Sequence, residues 1–521
     1  MKFNQTRQQF TSDYDCIVIG AGNGGLASAL QLAKKGVRVL LVEQHNLPGG
    51  FASSFVRGRF EFEIALHEIA DVGPYSTKQS LREMLEDDFG LNIEWVEVPE
   101  AYHLIIDEKK NPLDIKVPFG LTNFINTVEQ IAPGSREAVT RYIAVCKEAI
   151  DGLLYLKQSR GKPNKLHLIK NYPSFIKTSA YTVEEVLDAM HISHEARSVL
   201  NGYWCYLGLP PNRLGFTLFG AMLNRYISTY GFIPRLRSHE LTLKLAERFK
   251  ECGGQIAFNT RVDKILVKDE QVYGIETHCQ EVINSKYIIC NLSPTVVFNK
   301  LIHPKTQVPK QALRECNARL HGSSAFVVYM GLDALPKEIG LDSYSYFIMD
   351  NHDINDIYNS FGRLEAPLGQ ATVCLNNAIP DCSPPGTSIV SITTLFQPHV
   401  WQGVRQEDYF KLKSEIAAGL IEKLEKATGA SIRKYIEEIE IATPQTMARY
   451  TSSYEGIVYG YEPEPWDSII ARMKGMQAER HFAGLSFCGG FGFRSHGYLN
   501  ALSTGQTAAL MTYKEILEGR N

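Results

Sequence analysis

Apolar and polar positions recur along this chain with two periods, and each period marks a different kind of element. Cys16-Ile-Val-Ile-Gly20 is a short β-branched run of the kind that forms a strand buried on both faces. Leu26 to Lys35 repeats its apolar positions at helical spacing, and Val37-Arg-Val-Leu-Leu-Val is a second apolar run ending in Glu43. Strand, helix and strand in that order predict a βαβ unit with parallel strands. Leu241 to Cys290 reads as a helix, the break Gly253-Gly254, a hairpin and the strand Tyr287-Ile-Ile-Cys290. Ala325–Leu332, Tyr344–Asp350 and Ser388–Phe396 are apolar or alternating runs that predict an antiparallel sheet. Between the two groups the pattern is helical: Ala138 to Leu156 has helical period, and Thr182-Val-Glu-Glu185 fits a capping box opening another helix. The chain closes on a helix from Asn500.

The turn between the first strand and helix reads Gly20-Ala-Gly22-Asn-Gly-Gly25. Gly20 permits the tight turn, Gly22 lets a pyrophosphate approach the backbone, and Gly25 lets helix and strand pack closely. The phosphates would sit on unpaired N–H groups at a helix N-terminus. Glu43 ends the second strand, placed to accept hydrogen bonds from a ribose diol and to repel a 2′-phosphate. A glycine-rich turn alone would explain the three glycines. It would not explain strand, loop, helix, strand and acid in order.

Composition narrows the picture. The chain has 521 residues, 44% hydrophobic and 21% charged, as in globular proteins of two or three domains. Lys and Arg number 54 against 57 Asp and Glu, a net charge of -3, so no nucleic-acid partner is expected. The ten cysteines, among them Cys16, Cys146, Cys290 and Cys488, are scattered without a close pair. That argues against a metal site and a redox dithiol, and favours a reducing compartment. The first fifteen residues have no apolar core, and no run reaches the roughly 18 apolar residues of a spanning helix, so a cytoplasmic protein is expected.

Beyond Glu43 lie Pro48-Gly49-Gly50, Ser53, Ser54, Arg57 and Gly58, and then Phe60-Glu-Phe62-Glu63-Ile-Ala-Leu66-His67. Gly49 and Gly50 let backbone pass close to a dinucleotide, and Arg57 could pair with phosphate. This extended pattern resembles the glutathione-reductase/amine-oxidase superfamily, and within it the phytoene desaturase family of carotenoid desaturases, carotenoid isomerases and retinol saturases. The resemblance implies an α/β fold with a Rossmann-like FAD-binding domain, a mixed antiparallel-sheet substrate domain and a helical lid. The segments assigned to these are 12–95, 236–300 and 475–521 for FAD, 96–120 and 301–474 for substrate, and 121–235 for the lid. It also implies a backbone contact from Val262 to adenine, and a last FAD segment containing Gly484, Ser486, Gly490 and Gly492. Two departures stand out: Leu236-Arg237 where relatives carry Gly-Gly, and Ser486 where they place an Asp.

No second glycine fingerprint sits in a βαβ unit, so no separate nicotinamide domain is expected. The resemblance implies hydride exchange between FAD and a carbon chain, or isomerisation of a long apolar polyene. His67, with Glu68 beside it, Arg494 and His496 are the candidates for handling protons. Tyr203, Trp204 and Tyr206 read as core, with a tunnel lining as the alternative. Tyr155 to Lys177 interleaves lysines with Leu, Ile, Tyr and Phe, which suits either a solvated linker or a contact with a membrane surface. Two other functions remain open: oxidation of an amine or of an acyl chain tethered to a carrier protein, and a non-catalytic escort role on the same fold.

Overall fold

The computed structural model describes residues 13–74, 77–159, 162–475, 480–492 and 496–520. Its first layer is a parallel five-stranded sheet in the order Leu485–Phe487, Ile288–Cys290, β1 (Cys16–Ile19), β2 (Val39–Val42) and Gln255–Ala257. β1 and β2 are buried at every position, which is why their sequences are apolar runs without alternation. Between them runs helix α1 (Asn23–Ala33), packed against the C-terminal helix Tyr498–Arg520. Small residues permit that contact. A Cβ on Gly505 would fall 2.2 Å from the Gly24 carbonyl oxygen, and the Ser28 hydroxyl donates to the carbonyls of Gly24 and Gly505 at 2.8 and 3.0 Å.

The second layer is a seven-stranded sheet in the order Ile436–Ala442, Ser324–Leu332, Ser388–Phe396, Gly369–Cys374, Ser345–Met349, Tyr102–Ile106 and Leu113–Val117. All three runs read from the sequence belong to it. The sheet is nonetheless mixed, because Ser345–Met349 pairs in parallel with Tyr102–Ile106. Gly369–Cys374, which lacks a long apolar signature, separates Ser345–Met349 from Ser388–Phe396. Side chains of the strand Ser324–Leu332 alternate as the pleat demands. Phe326, Val328 and Met330 pack with Ile416, Leu420 and Leu424 of the helix Gln406–Thr428, while Ala325 and Val327 face a large cavity.

The third layer is helical and roofs that cavity. Its main members are Arg136–Gln158 and Phe216–Thr229, which pack on each other, with the short helices Lys165–Asn171 and Pro173–Thr178 at the far end of the first. The capping box at Thr182 is formed, opening the helix Val183–Ala189. Phe175, which belongs to the lysine-rich stretch, is core. Its ring fills a notch over Gly152, where a Cβ would lie 2.4 Å from it. Arg237, standing where the resemblance implies glycine, holds a left-handed φ of 69°, a conformation that disfavours side chains. Its guanidinium pairs with Glu61 at 2.7 Å. No helix among the described residues is long and apolar enough to cross a membrane.

Candidate active site

The cavity of about 1090 Å³ lies at the carboxyl ends of the parallel strands, where open α/β sheets bind their ligands. It exceeds the roughly 300–1,000 Å³ of sites for one small ligand, and its two ends differ in chemistry.

One end is backbone. Gly20, Gly22, Asn23 and Gly24 line it, and α1 begins there with Gly22 at its N-cap and no side chain occupying its first N–H groups. Gly49 and Gly50 lie across from them, and Gly22 and Gly49 form an isolated β-bridge. Gly25 sits behind the loop, where a Cβ would be 1.9 Å from the Gly20 oxygen, so only glycine allows the helix this close. Glu43 lines the same end, accepting from the amides of Ala21 at 2.7 Å and His45 at 2.9 Å. Each carboxylate oxygen keeps a lone pair for a ribose hydroxyl. Val262, the first residue of the strand Val262–Lys268, lines the wall beside it. A free helix N-terminus, a cradle that Cβ atoms would fill and an acid at the second strand's end fit a dinucleotide.

Four expected contacts fall elsewhere. Arg57 is on an exposed two-stranded ribbon, turned toward the edge of the large sheet, and pairs with Glu440 at 3.0 Å. Ser486 accepts from Arg480 at 2.9 Å, and Gly484 is a turn residue whose Cβ would meet the Lys286 oxygen at 2.0 Å. Gly492 packs on Thr504, where a Cβ would approach to 2.7 Å. None of the four lines the cavity. The reason is register: the last parallel strand ends at Phe487, so the segment facing the ligand is Gly489, Gly490 and Phe491. Asn291, directly after the strand Ile288–Cys290, also lines the cavity, though no sequence motif marks it. Its side chain braces the loop, since a Cβ on Gly22 would lie 2.7 Å from Asn291 Nδ2 and one on Gly489 2.1 Å from Oδ1. Arg494 lies outside the described residues.

The other end is apolar, with Leu153, Leu154, Leu218 and Met222 from the helical layer facing Val327, Phe347 and Phe361 from the sheet side. Trp204 and Tyr206 line it, whereas Tyr203 packs behind them.

Between the two ends, polar groups meet at Tyr206, on the turn Gly202–Tyr206. Its hydroxyl donates to Glu68 Oε1 at 2.7 Å and lies 3.5 Å from His67 Nδ1, and its carbonyl is 2.8 Å from His496 Nε2. The second nitrogen of His496 is 2.7 Å from the Tyr459 carbonyl, and His67 Nε2 is 3.4 Å from the Thr393 hydroxyl. Burial draws both histidines down to about 4, leaving His67 neutral near pH 7, while on His496 the two carbonyls, which only accept, oppose the shift. Burial drives the Glu68 carboxyl the opposite way, up to about 8, and Glu100 adds to it against the hydrogen bond from Tyr206. Among the described residues no three His, Cys, Asp or Glu side chains are arranged to hold a metal.

Fold and site are those of a dinucleotide-binding protein, and its relatives place it among the oxidoreductases. Residues 18–87 match an NAD(P)-binding Rossmann-like domain. Over 478 residues the chain is 24% identical to all-trans-retinol 13,14-reductase of Danio rerio, spanning 86% of this chain and 77% of that one. It is 24% identical over 466 residues to the chloroplastic prolycopene isomerase of Daucus carota, at 87% and 72% coverage. These relatives are of the kind that the motifs around Gly49 and His67 resemble. The solved structures of an oxidoreductase from Methanosarcina mazei and of a putrescine oxidase variant share the fold. Their TM-scores are 0.60 and 0.64 at 16% and 13% identity, and each covers 96% of this chain and 99% of its own.

Proposed function

We propose that the protein holds FAD non-covalently at the glycine-lined end of the cavity and acts on carbon–carbon double bonds of a long apolar polyene at the other. The observation that carries this reading is one continuous cavity with a backbone-lined end and an apolar end. Bound FAD would supply two-electron exchange with a double bond, chemistry that no side chain provides. The amides of the Gly20–Gly24 loop and the start of α1 would hold the pyrophosphate, and Glu43 the ribose. Leu153, Met222, Val327 and Phe361 would align the chain and keep water out. The experiment is anaerobic mixing of the FAD-loaded protein, oxidised and reduced, with carotenoid- and retinoid-like polyenes, following flavin absorbance and product isomers. Conversion of one polyene class supports the reading; conversion of amines or carrier-bound acyl chains alone would replace it.

The same reading includes a membrane surface as partner, since such a substrate resides in lipid. The helices Lys165–Asn171 and Pro173–Thr178 expose Leu166 (78%) and Ile169 (61%) among Lys162, Lys165, Lys170 and Lys177. They pack against the end of Arg136–Gln158, whose Leu153 and Leu154 line the apolar end of the cavity. Each apolar side chain entering the interface contributes about 1.5–3 kcal/mol and each lysine near anionic lipid about 1 kcal/mol.

A further inference from the structure

We propose that Glu68 is the proton carrier of the reaction, a buried carboxyl on the cavity wall, with one oxygen unpartnered, that exchanges a proton with the carbon next to the one that exchanges hydride. This rests on the double-bond chemistry proposed above. In the saturating direction a reduced flavin-class donor gives hydride, with its electron pair, to one alkene carbon. The π pair of the alkene takes the proton from Glu68 Oε2 at the other carbon. Two C–H bonds form; the π bond, the O–H bond and the donor's bond to the transferred hydride break, the donor is left oxidised by two electrons, and a carboxylate remains to be reprotonated from solvent. Desaturation is the reverse, with the carboxylate accepting the C–H proton as hydride leaves.

The geometry singles out this residue. Glu68 lines the cavity and is 4% exposed, and its Oε2 is buried without a hydrogen-bond partner. Oε1 is taken by the Tyr206 hydroxyl. That division suits an acid, with Oε1 as the accepting carbonyl oxygen and Oε2 carrying the free proton. The other polar groups around it are committed. The Tyr226 hydroxyl donates to the Glu68 carbonyl at 3.3 Å, Tyr203 to the Ala101 carbonyl at 3.0 Å and Tyr344 to the His67 carbonyl. Arg225 pairs with Asp71 at 2.5 Å. His496 lies between two carbonyls. His67, neutral, has no acidic proton to give near pH 7. The charged and titratable groups around Glu68 are therefore Glu100, the Asp71–Arg225 pair, His67, the Cys205 thiol and the four tyrosines. Burial, seconded by Glu100, keeps the acid protonated at neutral pH.

Three measurements on FAD-loaded protein test this. Infrared difference spectra at neutral pH should contain a protonated carboxyl band in wild type that Glu68→Gln removes. A band unchanged by the substitution overturns the proposal without any assay of activity. In single turnovers with an accepted polyene, Glu68→Gln should slow conversion on the order of 10²-fold or more while retaining FAD and polyene binding. Glu68→Asp should recover part of the rate. The wild-type rate of double-bond reduction should fall on the alkaline side, and Tyr206→Phe should move that limb to higher pH by removing a hydrogen bond to the carboxylate. Wild-type conversion with an equally fast Glu68→Gln sinks the role of Glu68 alone. Absence of any double-bond conversion by wild type sinks the underlying reading and this proposal with it.

Discussion

At the scale of single residues, the glycine loop gives the sharpest expectation. Gly22→Val adds branches where a bare Cβ would already be 2.7 Å from Asn291 Nδ2, and it fills the approach to the backbone. The variant should purify without cofactor, seen as loss of flavin absorbance in otherwise folded protein; full occupancy would remove that loop from the site. Titration supplies a second expectation. Glu63 and Glu68 are raised by burial to about 7 and about 8, above the 4.5 of a free carboxyl. The folded state holds these protons more tightly, so the stability they contribute is complete below pH 4.5 and is lost as pH rises through 7 and 8. His67 and His496, lowered from 6.5 to about 4, contribute stability above pH 6.5 that is lost as pH falls toward 4. Above pH 6.5 only the carboxyls act among these four, each with a slope of at most about 1.4 kcal/mol per pH unit. Thermal melts should fall between pH 6.5 and 8, and Glu68→Gln should flatten that decline; an unchanged slope would contradict a buried acid there.

At the scale of elements, the helices Lys165–Asn171 and Pro173–Thr178 divide their side chains between core and surface. Phe175→Ala empties the notch over Gly152 and should cost about 3–5 kcal/mol of stability, read as a shifted denaturation midpoint. Leu166→Ser with Ile169→Ser changes exposed positions, so stability should move by less than about 0.5 kcal/mol each. Sedimentation with anionic vesicles should nevertheless drop sharply. Wild-type protein that stays in the supernatant at low salt would remove the membrane surface. This division is invisible in the sequence, where Phe175, Leu168 and Ile169 look alike. β1, α1 and β2 were legible because their signals are local: an apolar run, helical spacing and a glycine turn. In the last glycine-rich segment only Gly490 was placed correctly on the cavity wall, because Ser486 and Gly490 differ only in whether they precede or follow the end of a strand. That end is set by pairing with Ile288–Cys290, some two hundred residues earlier. Arg57 failed for a related reason, since its partner Glu440 comes from an edge strand nearly four hundred residues away.

In the molecule as a whole, a nucleotide-binding sheet, a mixed sheet and a helical roof enclose one cavity. In the proposed complex FAD and an apolar chain lie there in contact. The most direct test uses the flavin as reporter. FAD-loaded wild type is titrated with a polyene that does not turn over, following the visible absorbance of the flavin, in parallel with Met222→Trp, which fills the apolar end. The account predicts a saturable change in the wild-type flavin spectrum and none in Met222→Trp, with FAD content equal in both. A wild-type spectrum indifferent to every polyene, or a Met222→Trp response identical to wild type, would contradict it.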